Sequence, residues 1–352
     1  MIHTMSVYCA LWPSHARRIL DNLGVSSNKN SFKGAVNVNG IAEVVARSRG
    51  KDYGYLLRVI VNPAKLLYGF DAFETVTPET LDDLTVAFAR AIKEATGDEE
   101  IARTPLPDWL VHRIDFAVDV RTPYVHQYLM LFDKGDKPSN YKEKYNWRKG
   151  SCYWESRSVI INVYSKSKQM RDAGKSSESI ERAKNILRFE IQCKSPKVGY
   201  IRKAKGLEDR RLRNFFCEEY AEEVLTSYCK RVYKSGDYYK RAAASQRMKR
   251  LGMSARRREA NESIQRAIAQ TRSISEARRQ LSETGIVIKH TKPQVRLEYS
   301  TEQFSRNCRS LIEANINPVV IPKDWEVSYL PSIFHLIEPV FAGHQSIEHD
   351  IA

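Results

Sequence analysis

The sequence predicts an α+β protein: a mostly antiparallel central sheet with helices on one face, followed by a basic helical C-terminal region. Two observations carry that expectation. Three short segments, His112–Asp119, Ile161–Lys166 and Leu187–Lys194, alternate apolar and polar residues with the period of a strand. From about Leu212 the period changes to that of a helix, and lysine and arginine accumulate.

In order along the chain, Ser6 to Leu11 reads as a first strand. Tyr55 to Val61 reads as another, closed by Asn62-Pro63 because proline cannot donate to a ladder. Thr77-Pro78 predicts a helix start, Leu81, Leu84, Phe88 and Ile92 give that helix one apolar stripe, and Gly97 ends it. The Arg113–Val120 strand then completes a β-α-β arrangement. Asp133 to Gly150 is polar and predicts an exposed loop. Ser151–Trp154 and Val159–Tyr164 predict a hairpin, and Arg171 to Glu181, polar and serine-rich, predicts a mobile excursion. Beyond it, Phe216, Tyr220, Val224, Tyr228 and Val232 recur at helical spacing. Ser273 with Glu276 and Ser300 with Gln303 are capping-box signals for two later helices. The expected division is a unit over 1–210, a basic helical region over 211–325, and a tail over 326–352.

Composition narrows the function. The 352 residues are enough for a substantial core, and 42% hydrophobic content suits a globular protein. No apolar run is long enough to span a bilayer, and the first residues lack a secretory signal, so a cytoplasmic protein is expected. The 57 Lys+Arg against 42 Asp+Glu leave a charge of +15, which favours a polyanionic partner, nucleic acid being the commonest. Six scattered cysteines without a CxxC pair argue against both a disulfide framework and a thiolate zinc site. Eight histidines form no metal-binding pattern.

The polar faces of the three strands hold the chemistry. Arg113, Asp115 and Asp119 share one face of the first, Asn162, Tyr164 and Lys166 one face of the second, and Arg188, Glu190, Gln192 and Lys194 one face of the third. Together they supply carboxylates, cations and one tyrosine, an inventory able to cut a phosphodiester through a phosphotyrosine. A free tyrosine has a pKa near ~10 and needs help at neutral pH. Hard Mg²⁺ or Mn²⁺ suits oxygen ligands such as Asp115 and Glu190, and would neutralise charge in the in-line displacement. Lys166 and Arg188 would favour tyrosinate and hold the phosphate. Each residue taken alone also has a structural reading: one of 18 tyrosines, a solvated Arg-Asp pair, a surface glutamate. Arg256-Arg257-Arg258 fits either phosphate contact or a solvated helix face.

With Asn62–Leu67, Gly69 and Phe73, then Arg113-Ile114-Asp115, Val163-Tyr164 with Lys166, and Leu187–Glu190 with Lys194, the chain resembles the replication initiators of filamentous phages and related plasmids, the gene II/X family. Order and approximate spacing are kept from roughly residue 55 to 200. The resemblance implies rolling-circle replication: nicking of one strand of supercoiled DNA at a phage or plasmid origin, a covalent 5′-phosphotyrosine, and rejoining after one round. It maps the nucleophile to Tyr164, acidic positions to Asp115 and Glu190, and basic positions to Arg113, Lys166 and Arg188. Lys194, Arg256, Arg257 and Arg258 are the further DNA-contacting candidates. Host helicase and polymerase are implied as partners, since no GxxxxGK[ST] loop is present. Tyr200 stands as a rival nucleophile. A relaxase with the same chemistry and a non-catalytic DNA-binding regulator are the alternatives.

Overall fold

The computed structural model describes residues 1–25, 31–48, 54–136, 140–145, 150–289 and 294–341. Among them, nine strands make one antiparallel sheet: β1 (Ile2–Leu11), β2 (Ser31–Gly34), β3 (Ile41–Ser48), β4 (Tyr55–Val61), β5 (Leu110–Arg121), β6 (Lys142–Tyr145), β7 (Ser151–Glu155), β8 (Val159–Ser165) and β9 (Ile186–Cys193). Their order is β2-β3-β4-β1-β5-β9-β8-β7-β6. The three strands singled out from the sequence are therefore adjacent, as β5-β9-β8. In register, Asp119 faces Arg188 across one ladder and Tyr164 faces Arg188 across the next.

Fourteen helices are described: α1 (Pro13–Asn22), α2 (Pro63–Tyr68), α3 (Leu81–Thr96), α4 (Glu99–Ala102), α5 (Val125–Asp133), α6 (Lys166–Asp172), α7 (Ser177–Arg182), α8 (Ser195–Ala204), α9 (Glu218–Tyr233), α10 (Arg241–Arg250), α11 (Ala255–Thr271), α12 (Ile274–Glu283), α13 (Thr301–Glu313) and α14 (Ile333–Phe341). Helix α3 buries the expected stripe of Leu84, Phe88 and Ile92, and Gly97 closes it in the left-handed region at φ 64°. Its start differs from expectation. A 3-10 turn over Pro78–Thr80 comes first, and Thr77 makes no side-chain cap. Strands β4 and β5 flank β1, which pairs with both, so the β-α-β unit is split by an inserted antiparallel strand.

The apolar face of the sheet is covered by helices because its inward residues, among them Phe116, Val118, Phe189 and Val163, are large and fully buried. Phe132 of α5 lies 5.7 Å from the Phe189 ring and 4.2 Å from Tyr233 of α9, with Trp154 of β7 5.9 Å from Tyr233. Such aromatic pairs contribute about 0.5–1.5 kcal/mol each beyond their buried area. One hydrophobic cluster runs from Ile2 through this layer to Ile337, across the expected boundary at residue 210.

Three local expectations are corrected. Residues 171–181 are not an excursion: they end α6 and build most of α7. The segment 326–341 is not a tail. Strands β10 (Tyr238–Tyr239) and β13 (Tyr329–Leu330) pair, and α14 packs on β5 with Ile333, Phe334 and Ile337 buried. The remainder of the expected tail, 342–352, lies outside the described residues, as do 137–139 and 146–149 of the expected polar loop. Between them, that loop forms edge strand β6. A second small hairpin, β11 (Ile286–Ile288) with β12 (Val295–Leu297), stands beside α11. The two capping signals hold: Ser273 Oγ accepts from the Glu276 N–H, and Ser300 and Gln303 form a reciprocal capping box.

Candidate active site

Alternation along β5, β9 and β8 puts Arg113, Asp115, Asp119, Arg188, Glu190, Gln192, Asn162 and Tyr164 on the face opposite the hydrophobic layer. One end of that face is roofed. Phe73, Met170 of α6, Ala183 and Ile186 form a small apolar cluster over it. The polar groups beneath lie out of bulk water, so their charges interact strongly.

Glu190 is the hub. Tyr164 Oη donates to Glu190 Oε2 at 2.9 Å, Gln192 Nε2 donates to Oε1 at 2.7 Å, and His3 Nδ1 lies 3.2 Å from Oε2. Burial alone would raise the Glu190 pKa. The His3 contact and the donors from Gln192 and Tyr164 outweigh it and hold the carboxylate below its ordinary range. Burial, followed by the Glu190 charge, pushes the Tyr164 phenol well above its usual value. The resting tyrosine is therefore protonated and hydrogen-bonded to a carboxylate.

Asp115 is 1% exposed, and neither carboxylate oxygen has a well-aligned hydrogen-bond partner. Arg113 Nη2 approaches Oδ2 to 3.0 Å as an ion pair. Burial raises the Asp115 pKa strongly; Arg113 opposes the rise and the Glu190 charge adds to it. Among the described residues no group of three or more His, Cys, Asp or Glu side chains is arranged to hold a metal ion. Two carboxylates suit Mg²⁺ all the same, because that ion keeps several waters and takes one or two carboxylates from protein. The buried, under-bonded oxygens of Asp115, beside the charge of Glu190, fit such an ion.

Other candidates are placed differently. Arg188 is fully buried and bidentate to Asp119 at 2.6 Å for both bonds, and its Nη2 also donates to the Phe73 carbonyl at 2.5 Å. Lys166 does not continue the strand. It opens α6, behind the N-cap Ser165, and is 3% exposed, with Nζ 5.9 Å from the Tyr164 ring and 5.8 Å from Phe73. Burial, then the Arg188 charge, lowers its pKa to about 7. Lys194 bonds Glu155 Oε1 and the Ser156 carbonyl, bracing the β7-β8 turn. Arg256, Arg257 and Arg258 form the first turn of α11, away from this face, with Arg257 on Ser310 and Glu313 and Arg258 on the Met253 carbonyl. Tyr200 is 64% exposed on α8, its ring 4.7 Å from Lys197 Nζ, which also lies over Tyr228 of α9 on the apolar side of the sheet.

Tyr164 also lines a cleft of about 570 Å³ with Asn162, Ser165, Lys168 and Tyr153.

Sequence reasoning missed His3. Its strand begins four residues earlier than expected, and a bulge between Ile2 and Thr4 brings it to Glu190. Simple alternation gives no signal for such a residue. Gln192 was on the predicted polar face; only its partner was unknown.

The fold is thus an α+β protein whose central antiparallel sheet carries a polar face with a buried tyrosine and carboxylates. The chain belongs to the gene II replication initiator family of filamentous phages: the family model for the N-terminal part of that replication-associated protein matches residues 5–205. It is accordingly a replication initiator. No curated protein sequence matches the chain. No described helix is long and apolar enough to cross a membrane.

Proposed function

We propose that this initiator nicks and rejoins one strand of DNA at a phage or plasmid origin by transesterification to Tyr164. The observation that carries the reading is the Tyr164 Oη contact to Glu190, buried in the polar face beside Asp115. Tyr164 Oη attacks the scissile phosphorus and loses its proton to solvent, with Glu190 holding the hydroxyl in place. The P–O3′ bond breaks, the 3′ oxygen takes a proton from solvent, and the 5′ phosphate stays on the tyrosine. The reverse step, by a 3′-hydroxyl, rejoins the strand without ATP, because one phosphodiester has been exchanged for another. Asp115 and Glu190 would hold Mg²⁺ or Mn²⁺, which supplies charge neutralisation at the phosphate. Lys166 stands close enough to the Tyr164 ring to meet that phosphate, whereas Arg188 acts by fixing Asp119 and the Phe73 segment.

Since Tyr164 is 6% exposed, its substrate is an unstacked strand, supplied by supercoiled or locally melted DNA. Unwinding and synthesis fall to a host helicase and polymerase in the bacterial cytoplasm. The test is a denaturing gel of supercoiled cognate DNA, labelled on the side of the nick that keeps the 5′ phosphate, with Mn²⁺ or Mg²⁺. Metal-dependent protein-linked label is expected with wild type and with Tyr200→Phe and absent with Tyr164→Phe. Label lost only in Tyr200→Phe moves the site. Origin binding without any nicking favours a regulator.

A further inference from the structure

Outside the family-matched region, α11, the β11-β12 hairpin and α13 enclose a groove of about 640 Å³. Arg256, Ala260, Ser263 and Arg266 come from one face of α11, spaced three or four residues apart. Leu297 and Tyr299 come from the hairpin and its exit, and Arg306 and Asn307 from α13. With Arg257 included, four arginines line the groove against one acidic residue, Glu259.

The pairing of those arginines is uneven. Most nearby guanidinium groups meet a carboxylate: Arg257 with Glu313, Arg266 with Glu262, Arg279 with Glu276 and Glu283, Arg296 with Glu298. Arg256 and Arg306 have no such partner among the described residues. Unpaired guanidinium groups facing one groove present a concentrated field that only an anion satisfies. Small residues, Ala260 and Ser263, keep the space between them open. The walls are braced, since Asn261 Nδ2 donates to Ser310 Oγ at 3.0 Å and Arg257 Nε donates to the same oxygen at 2.7 Å, locking α11 to α13. Tyr299 and Leu297 add an aromatic and aliphatic flank to the cationic wall. A cationic channel with an aromatic flank is the arrangement that takes single strands, whose bases stack while their phosphates are neutralised.

We infer that this groove is a second nucleic-acid site, separate from the Tyr164 face, holding a short stretch of single-stranded DNA through its phosphates on Arg256 and Arg306 and one base on Tyr299. The inference takes from the family only that the partner is DNA, and it stands whether or not Tyr164 is the nucleophile.

The test uses the full chain with a fluorescent dT12 oligonucleotide and, separately, a mixed-sequence hairpin duplex, followed by anisotropy from about 50 to about 300 mM NaCl. For the double substitution Arg256→Gln/Arg306→Gln the expected result is roughly ten- to thirty-fold weaker dT12 binding near ~0.1 M salt, with the log–log salt slope reduced by about 1.4. Tyr299→Ala should weaken dT12 binding several-fold and leave the duplex unchanged. Unaltered dT12 affinity and slope in the double variant, with a wild-type melting curve, would overturn the proposal. So would equal loss on duplex and single strand with no effect of Tyr299→Ala, which describes a duplex surface. Protein–DNA adduct formation at Tyr164 is scored separately on a denaturing gel, so failure of the nicking reading shows itself independently.

Discussion

Lys166 has lost most of its hydration to the lid over the polar face, and its ammonium is left with a pKa lowered to about 7 by burial and the neighbouring Arg188. The sign of the consequence is fixed. A lysine that titrates lower when folded binds fewer protons than the unfolded chain between pH 7 and pH 10.5, so stability rises with pH across that window. Lys166→Met should remove that rise and stabilise the protein near pH 7, as read by urea unfolding at several pH values; an unchanged pH slope would show the side chain to be solvated. A phosphate arriving beside Tyr164 reverses the penalty, so DNA binding near pH 8 should be accompanied by proton uptake. Titration calorimetry of Tyr164→Phe in buffers of different ionisation enthalpy measures that uptake directly, and adding Lys166→Met should abolish it. Glu190 gives a second residue-scale expectation. Glu190→Gln keeps the shape but removes the charge that holds the Tyr164 hydroxyl and would bind the metal, and nicking should fall by about 10- to 100-fold, with the fold intact by circular dichroism. Near-normal nicking would exclude Glu190 from the reaction.

At the scale of elements, the antiparallel alignment of β5, β9 and β8 converts three separate sequence patterns into one site, and their strand periodicity made that face legible in advance. What was not legible depended on neighbours. Arg188 looked like a phosphate ligand because strand alternation put it on the polar face. The register puts it between Asp119 and Tyr164, and the two Asp119 bonds engage it. Lys166 looked like the last residue of a strand until Ser165 capped a helix there. The Arg188–Asp119 pair provides a test that separates structure from chemistry. Arg188 is fully buried whereas Asp119 keeps about a quarter of its side chain exposed, so Asp119→Leu, which leaves the guanidinium uncompensated, should destabilise by roughly 3–5 kcal/mol, whereas Arg188→Met with Asp119→Leu should recover much of that loss. If Arg188 only braces the β5-β9 ladder, the recovered double variant should also recover nicking. Stability restored without nicking would return Arg188 to the reacting phosphate.

At the scale of the whole molecule, the sequence predicted the class and the change to a basic helical region, yet composition could not reveal that the two share one core. The change near Leu212 is a change of period and charge, and neither reports which apolar faces meet. In the fold, α9 lies directly on the sheet beneath the site, and Tyr233 contacts Phe132, Trp154 and Phe189 from beyond the expected boundary. Helix α14 adds Ile333, Phe334 and Ile337 to the same cluster from a segment expected to be a tail. A sheet that loses those helices exposes several fully buried aromatic rings on the face opposite its polar residues, and strand register held by one buried face is lost with it. The 1–210 segment produced alone should therefore bind a hydrophobic dye and unfold without a sharp transition, while the full chain melts cooperatively. Within the full chain, Phe334→Ala should lower stability by about 3–5 kcal/mol and reduce nicking only as far as it unfolds the protein. A 1–210 fragment that melts as sharply as the full chain would show that the sheet is autonomous, and the basic helices would then be an appended unit rather than half of its core.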